Sequence, residues 1–219
     1  IPVVGRTDLY DEQVLPEERR IRVVDSSNEE SIWASYAAKL ATAGRIMFVV
    51  GQNVNFGVKS VECLNKIFAK CNCIFAVEHL SNLSCNGCVH TYPITEINGN
   101  STLEKLKPDL VISIGNNLSA YNLRPFLRRH YKTIENWLVS PAGEIRDAYK
   151  CLTTVFEADV EGFLEKIAAL MPQDSQNSGS YKKNWEEELS QVKIKDFKFS
   201  NMYAASKIAP IIPKNSVLH

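Results

Sequence analysis

Apolar residues along this chain fall into two kinds of run, and the two alternate. RIMFVV (45–50), CIFAVE (73–78), DLVISIG (109–115), NWLVS (136–140) and LTTVFEA (152–158) are short and apolar along most of their length. They read as strands buried on both faces. Between and around them, apolar residues recur at helical spacing. Ile32, Trp33, Tyr36, Ala37 and Leu40 form one such stripe, and Val58, Val61, Leu64, Ile67 and Phe68 in VKSVECLNKIFAK form the next. VEGFLEKIAALM (160–171) closes the series. TLEKL (102–106) predicts a short helical turn. YNLRPFLRRH (121–130) predicts a helix with Pro125 early, where a missing N–H is tolerated. Asp25, Ser26, Ser27 and Asn28 offer N-caps for the first helix, with Glu29 and Glu30 in its favourable first turn. The polar stretch after CIFAVE, up to Pro93, predicts a long loop.

Such strands, each followed by an amphipathic helix, predict an α/β fold with helices on both faces of a parallel sheet. The expected architecture is a three-layer αβα sandwich with about five or six parallel strands, Rossmann-like, over residues 29–171. Right-handed crossovers would bring the carboxyl ends of the strands to one edge. Residues 1–28 predict an extended arm with one short strand candidate, RIRVV. PQDSQNSGSY (172–181) has linker composition, and beyond it come a helix at NWEEELSQV and then NMYAASKIAPIIPKNSVLH, read as a helix, a turn at Pro213 and the first residues of a strand. The chain opens on Ile rather than Met and closes inside that last strand. We therefore expect a piece of a longer polypeptide: an arm from a preceding domain (1–28), a central α/β domain (29–171), and a linker with the start of a following domain (172–219).

Charge narrows the field. Lys plus Arg number 25 and Asp plus Glu 25, so no net field draws the chain to nucleic acid or a membrane surface. No run approaches the roughly 18 apolar residues that read as a membrane span, and no secretory segment opens the sequence. A cytoplasmic protein is expected. Six cysteines need a reading. Cys71, Cys73, Cys85 and Cys88, with His90, are candidate zinc ligands, but C-x-C at a strand start is less common in structural zinc sites than C-x-x-C at both ends. Reduced thiols and no bound metal are expected.

Candidate binding residues sit where two strands end. Gly51-Gln52-Asn53 and Gly115-Asn116-Asn117 combine glycines that admit sharp turns and close approach with amides that donate and accept hydrogen bonds. Helices following such turns offer free N–H groups to phosphate. These six are the candidate cofactor-binding residues. The stretch GQNVNFG is nonetheless not G-x-G-x-x-G, and no Walker lysine, G-x-S-x-G or H-E-x-x-H pattern occurs. Arg124, Arg128 and Arg129 beside His130 could hold an anion, although three basic residues on one helix more often form a solvated face. His79, His90, His130 and His219 follow no usable spacing. No catalytic set emerges.

The order of features resembles a known family. The Trp33 helix, GRIMFVVGQN, a helix, CIFAVEHLSNL and LKPDLVISIGNNLSAYNLRPFLRR are similar to the central domain of thiamine-diphosphate-dependent enzymes, a DHS-like NAD/FAD-binding type of fold. NWLVSPAGEIRDAYKCLTTVFEADVEGFL, with its Arg-Asp pair, is most similar to the SEPHCHC synthases of menaquinone biosynthesis. FSNMYAASKIAPIIPKNSVLH resembles the start of the family's third domain. The resemblance implies a three-domain transferase that joins decarboxylated 2-oxoglutarate to isochorismate, assembled as a homodimer or homotetramer, with thiamine diphosphate and Mg²⁺. The family's first domain supplies a glutamate that activates the thiamine, and its third holds the diphosphate through Mg²⁺ at a G-D-G…N motif. Neither is present in this sequence. The chain itself is thus expected to be non-catalytic and free of cofactor, partnered by the adjacent domains. Central domains of several relatives bind FAD or a nucleotide, whereas the menaquinone members resemble ones that lost this role, which would leave the two glycine turns vestigial. Two other readings stay open: another thiamine-diphosphate enzyme of the decarboxylase or acetolactate-synthase type, and a stand-alone dinucleotide-binding module similar to sirtuins and electron-transfer flavoproteins.

Overall fold

Every side chain of Ile46–Val50 and Cys73–Val77 is buried, so these strands require cover on both faces. The computed structural model describes residues 19–52, 54–98, 100–115, 120–193, 198–214 and 216. Its strands are β1 (Arg22–Asp25), β2 (Ile46–Val50), β3 (Cys73–Val77), β4 (Cys88–His90), β5 (Leu110–Ile114), β6 (Glu135–Val139) and β7 (Leu152–Glu157). They form one 7-stranded sheet in the order β1-β7-β6-β5-β2-β3-β4. Every pairing is parallel.

Pleating sends alternate residues to opposite faces. Ile46, Phe48 and Val50 of β2 join a core with Trp33, Tyr36 and Leu40 of α1 (Glu30–Thr42), Leu64 and Ile67 of α2 (Val58–Lys70), and Phe163, Leu164 and Ile167 of α5 (Val160–Leu170). Met47 and Val49 face the other way. There they meet Leu103 of α3 (Asn100–Lys105), Leu123, Phe126 and Leu127 of α4 (Leu123–Arg129), and Tyr181 and Trp185 of α6 (Ser180–Ser190). The result is the expected three-layer αβα sandwich. On the first face Phe156 is a hub, its ring centroid 5.2 Å from Trp33, 5.0 Å from Tyr36 and 4.8 Å from Phe163. Each such pair adds about 0.5–1.5 kcal/mol beyond simple burial.

The elements differ from the sequence reading in three places. The residues offered as helix caps instead build a turn from β1 into α1. Ser27 N donates to the Asp25 carboxylate at 2.8 Å, Asp25 N donates to the Asn28 side chain at 2.8 Å, and Glu29 occupies the cap position without capping through its side chain. Within the expected loop, Cys88–His90 forms β4, aligned by the Phe75 N–H donating to the Gly87 carbonyl at 2.9 Å. Only Val89 of its three residues is buried, too little for a period of two to show. Lastly, α6 lies beyond the linker in sequence yet packs on the sheet, with the Tyr181 hydroxyl donating to the Leu106 carbonyl at 2.8 Å. Beyond it, α7 (Asn201–Ile208) and a 3₁₀ turn (Ala209–Ile211) bury none of their residues. Among the described residues, no helix is long and apolar enough to cross a membrane.

Candidate functional site

The chain runs from β2 to β3 on one side of β2 and returns to place β5 on the other. The carboxyl ends of β2 and β5 therefore meet at a topological switch point, where open α/β sheets place ligands. The two glycine turns picked out from the sequence are the ends of these two strands. Gly51 N donates to the Ile114 carbonyl at 2.8 Å. Gly115 has φ +78, and a Cβ there would lie 2.6 Å from Val54 Cγ2 and 2.9 Å from the Gln52 carbonyl oxygen. The backbone approach that requires glycine at 115 is thus made by the neighbouring turn of the same chain. Asn53, Asn116 and Asn117 lie outside the described residues.

A cleft of about 410 Å³ opens beside Gly115, lined by Val54, Val139, Arg146, Asp159 and Glu161 among others. Two helices begin at this edge, and their N-termini carry the partial positive charge that favours anions. The chain's own carboxylates already stand there. Asp159 caps α5 by accepting from Gly162 N at 2.7 Å. Glu161 accepts from the Ser60 hydroxyl in the first turn of α2 at 3.0 Å, and its oxygen lies 3.4 Å from where a Cβ on Gly57 would sit. Arg146, half of the Arg-Asp pair, forms an ion pair with Glu144 at 3.4 Å. The other half, Asp147, accepts from Cys151 N at 3.1 Å and Leu152 N at 3.2 Å, holds Arg19, and so aligns the start of β7.

Residues the sequence reading passed over knit the same edge. In the sequence Glu78 stands only as the last residue of the run CIFAVE. It is 8% exposed, and its carboxylate accepts from Ala120 N at 2.7 Å. Ser81 accepts from Glu78 N at 2.9 Å and donates to the Val50 carbonyl at 2.5 Å, tying the ends of β3 and β2 together. Tyr149 is buried against Ser113 of β5, and burial pushes its phenol up to about 12, so it stays protonated at neutral pH. A glutamate closing the apolar run CIFAV was the one available sequence signal. Ser81 and Tyr149 sit in segments without periodicity.

The other candidates are placed as follows. Arg124, Arg128 and Arg129 border an open cleft with Tyr121 and Lys150. The charge at this end of α4 is partly matched by Glu104, 2.9 Å from His130 Nε2 and 4.0 Å from Arg129. Cys63, Cys71, Cys73 and Cys151 are buried, while Cys85 and Cys88 are half-buried with their sulfurs 3.5 Å apart. Among the described residues, no three His, Cys, Asp or Glu side chains gather closely enough to hold a metal ion.

No known family model matches the chain. Individual proteins do. The 2-succinyl-5-enolpyruvyl-6-hydroxy-3-cyclohexene-1-carboxylate synthase (SEPHCHC synthase) of Phocaeicola vulgatus is 29% identical, covering 100% of this chain and 39% of that protein. The enzyme of the same name from Bacteroides fragilis is 30% identical over 83% of this chain and 32% of its own length. That from Bacteroides thetaiotaomicron is 34% identical over 52% of this chain and 20% of its own. The chain thus spans less than half the length of the curated relatives it matches. The chain is similar along its whole length to part of the Phocaeicola vulgatus SEPHCHC synthase, and over shorter stretches to the enzymes of the same name from the two Bacteroides species.

Proposed function

We propose that this chain is the central, structural domain of a thiamine-diphosphate-dependent SEPHCHC synthase, its body running from β1 in the sheet to α6 on the second core, wider than residues 29–171 at both ends. The parent joins decarboxylated 2-oxoglutarate to isochorismate in the cytoplasm as a homodimer or homotetramer. Its other domains hold thiamine diphosphate and Mg²⁺ and carry the catalytic residues.

The observation that carries this reading is the state of the switch point. A dinucleotide bound there would set its diphosphate against the starts of α2 and α5, where Glu161 and Asp159 already stand. Like charges brought together there cost free energy, and the close approach that requires glycine at 115 is made by Val54 and the Gln52 carbonyl of the chain itself. Thiamine diphosphate does not fit these residues either. Its diphosphate needs a metal held by oxygen ligands, and the carboxylates at this edge are engaged separately, with a helix cap, a hydroxyl and a backbone amide. A further support lies in α7 and the residues around it, which expose Phe199 (99%), Met202, Tyr203, Ile208 and Ile211. An apolar face of that kind suits burial against a following domain.

The test is an assay of the coding sequence extended on both sides, with thiamine diphosphate, Mg²⁺, 2-oxoglutarate and isochorismate. Isochorismate-dependent release of carbon dioxide is expected from the extended protein and none from residues 1–219 alone. A folded extended protein without that activity, or turnover by residues 1–219 alone, would overturn the proposal.

A further inference from the structure

Cys85 and Cys88 stand apart from the other four cysteines. Cys63, Cys71, Cys73 and Cys151 are buried, whereas these two are half-exposed, Cys85 on the loop before β4 and Cys88 at the first position of β4. They form a C-N-G-C turn with the sulfurs 3.5 Å apart, within hydrogen-bond reach of each other. Three contacts hold the turn in shape. Asn86 N donates to the Asn65 side chain at 3.0 Å, and the Gly87 carbonyl accepts from Phe75 N at 2.9 Å. Gly87, at φ +88, lies flat on Phe68, where a Cβ would come within 2.4 Å of the ring. A disulfide needs a sulfur separation near 2.05 Å, so closing the bond requires a movement of roughly 1.5 Å within a turn already folded for it. We propose that Cys85 and Cys88 are a reversible thiol–disulfide site, oxidised by low-molecular-weight disulfides.

The two sulfurs have different roles. The Cys88 thiol is lowered to about 7, first by its hydrogen bond with Cys85 and against the opposing effect of burial, with a backbone hydrogen bond and the Lys182 ammonium adding to the lowering. Cys85 is raised, by its hydrogen bond with Cys88, by burial and by the neighbouring Cys88 and Cys73. Lys182 on α6 and Cys73 on β3 are the groups from packed elements that act on the pair. Cys88 is therefore the attacking thiolate. It displaces one thiolate from the disulfide RSSR and forms a mixed disulfide. Cys85 then gives up its proton, and its sulfur attacks Cys88 Sγ to form the internal bond. The second RS⁻ leaves with that proton. Two protein thiols are oxidised, and RSSR is reduced to two RSH. A metal at the pair is the competing use of C-x-x-C, but the described residues supply no third ligand.

The experiment equilibrates the protein at graded ratios of oxidised to reduced glutathione, traps free thiols with a maleimide and maps the peptides by mass. A Cys85–Cys88 linkage is expected to rise with the ratio, while the four buried thiols are labelled only after unfolding. Cys85→Ser is expected to accumulate the Cys88 mixed disulfide. Cys88→Ser is expected to form one on Cys85 at least about tenfold more slowly at neutral pH. Circular dichroism checks that both variants fold. A pair that stays reduced at every ratio, a mixed disulfide formed preferentially on Cys85, or stoichiometric zinc in the purified protein would each overturn the proposal.

Discussion

Gly115 is where the chain's own backbone, rather than a ligand, sets the residue type. Its φ of +78 disfavours any side chain, and Val54 and the Gln52 carbonyl fill the space a Cβ would take. Gly115→Ala is expected to lower unfolding stability by about 2–4 kcal/mol in urea titrations. Adding Val54→Ala should restore only part of it, because the Gln52 carbonyl remains. Full restoration would mean that the clash, and not the backbone angle, dominates. The need for glycine was legible in a strand that stops at Gly115, but the identity of what approaches was not, since Val54 and Gln52 lie some sixty residues earlier. Glu135 offers a pH test at the same scale. Burial alone would raise its carboxyl, but hydrogen bonds from Lys39, the Trp137 indole and the Thr153 hydroxyl outweigh that and hold it below the usual range. A carboxyl depressed in the folded state contributes stability above its unfolded pKa, near 4.3, and loses it as pH falls through the folded value. Glu135→Gln should therefore flatten the stability curve on the acid side of that point. An unchanged acid limb would remove Glu135 from the account.

Among the elements, α5 and α6 carry the clearest expectations. Asp159 caps α5 through its side chain, so Asp159→Ala should cost about 1 kcal/mol. Asp159→Asn keeps an acceptor and should cost a few tenths. Thermal unfolding of the two variants separates cap from charge. On the opposite face, Trp185→Ala removes a fully buried indole from the second core and should cost about 3–5 kcal/mol. A loss under 1 kcal/mol would show that α6 contributes little to that core. The helical character of α6 could be read from NWEEELSQV, but its docking could not. Tyr181, Trp185 and Leu189 are widely spaced apolar positions in a strongly charged stretch, and Tyr181 bonds to Leu106 and Asn72, far away along the chain. The strands β2, β3, β5, β6 and β7 are legible because burial on both faces demands runs that are apolar along most of their length. The edge strand β4, half solvated and three residues long, gave no comparable pattern.

For the whole molecule, the sheet's switch point governs ligand binding. FAD or an adenine nucleotide bound there would raise the melting temperature, by an amount equivalent to roughly 2.7 kcal/mol at a hundredfold excess over the dissociation constant. With Asp159 and Glu161 at the helix starts, no shift is expected. A clear rise that Glu161→Gln enhances would transfer the chain to the dinucleotide-binding class. The strand order has another consequence, for the time course of synthesis. Arg22 of β1 pairs with Thr154 of β7, so the earliest described strand can be seated only after the last has left the ribosome. At about 5–20 residues per second, β1 waits on the order of ten seconds without its ladder partner. Only Val24 of its four side chains is buried when it does dock. During that interval the nascent β1 is an unpaired strand, and it is the part of the sheet a chaperone would meet first.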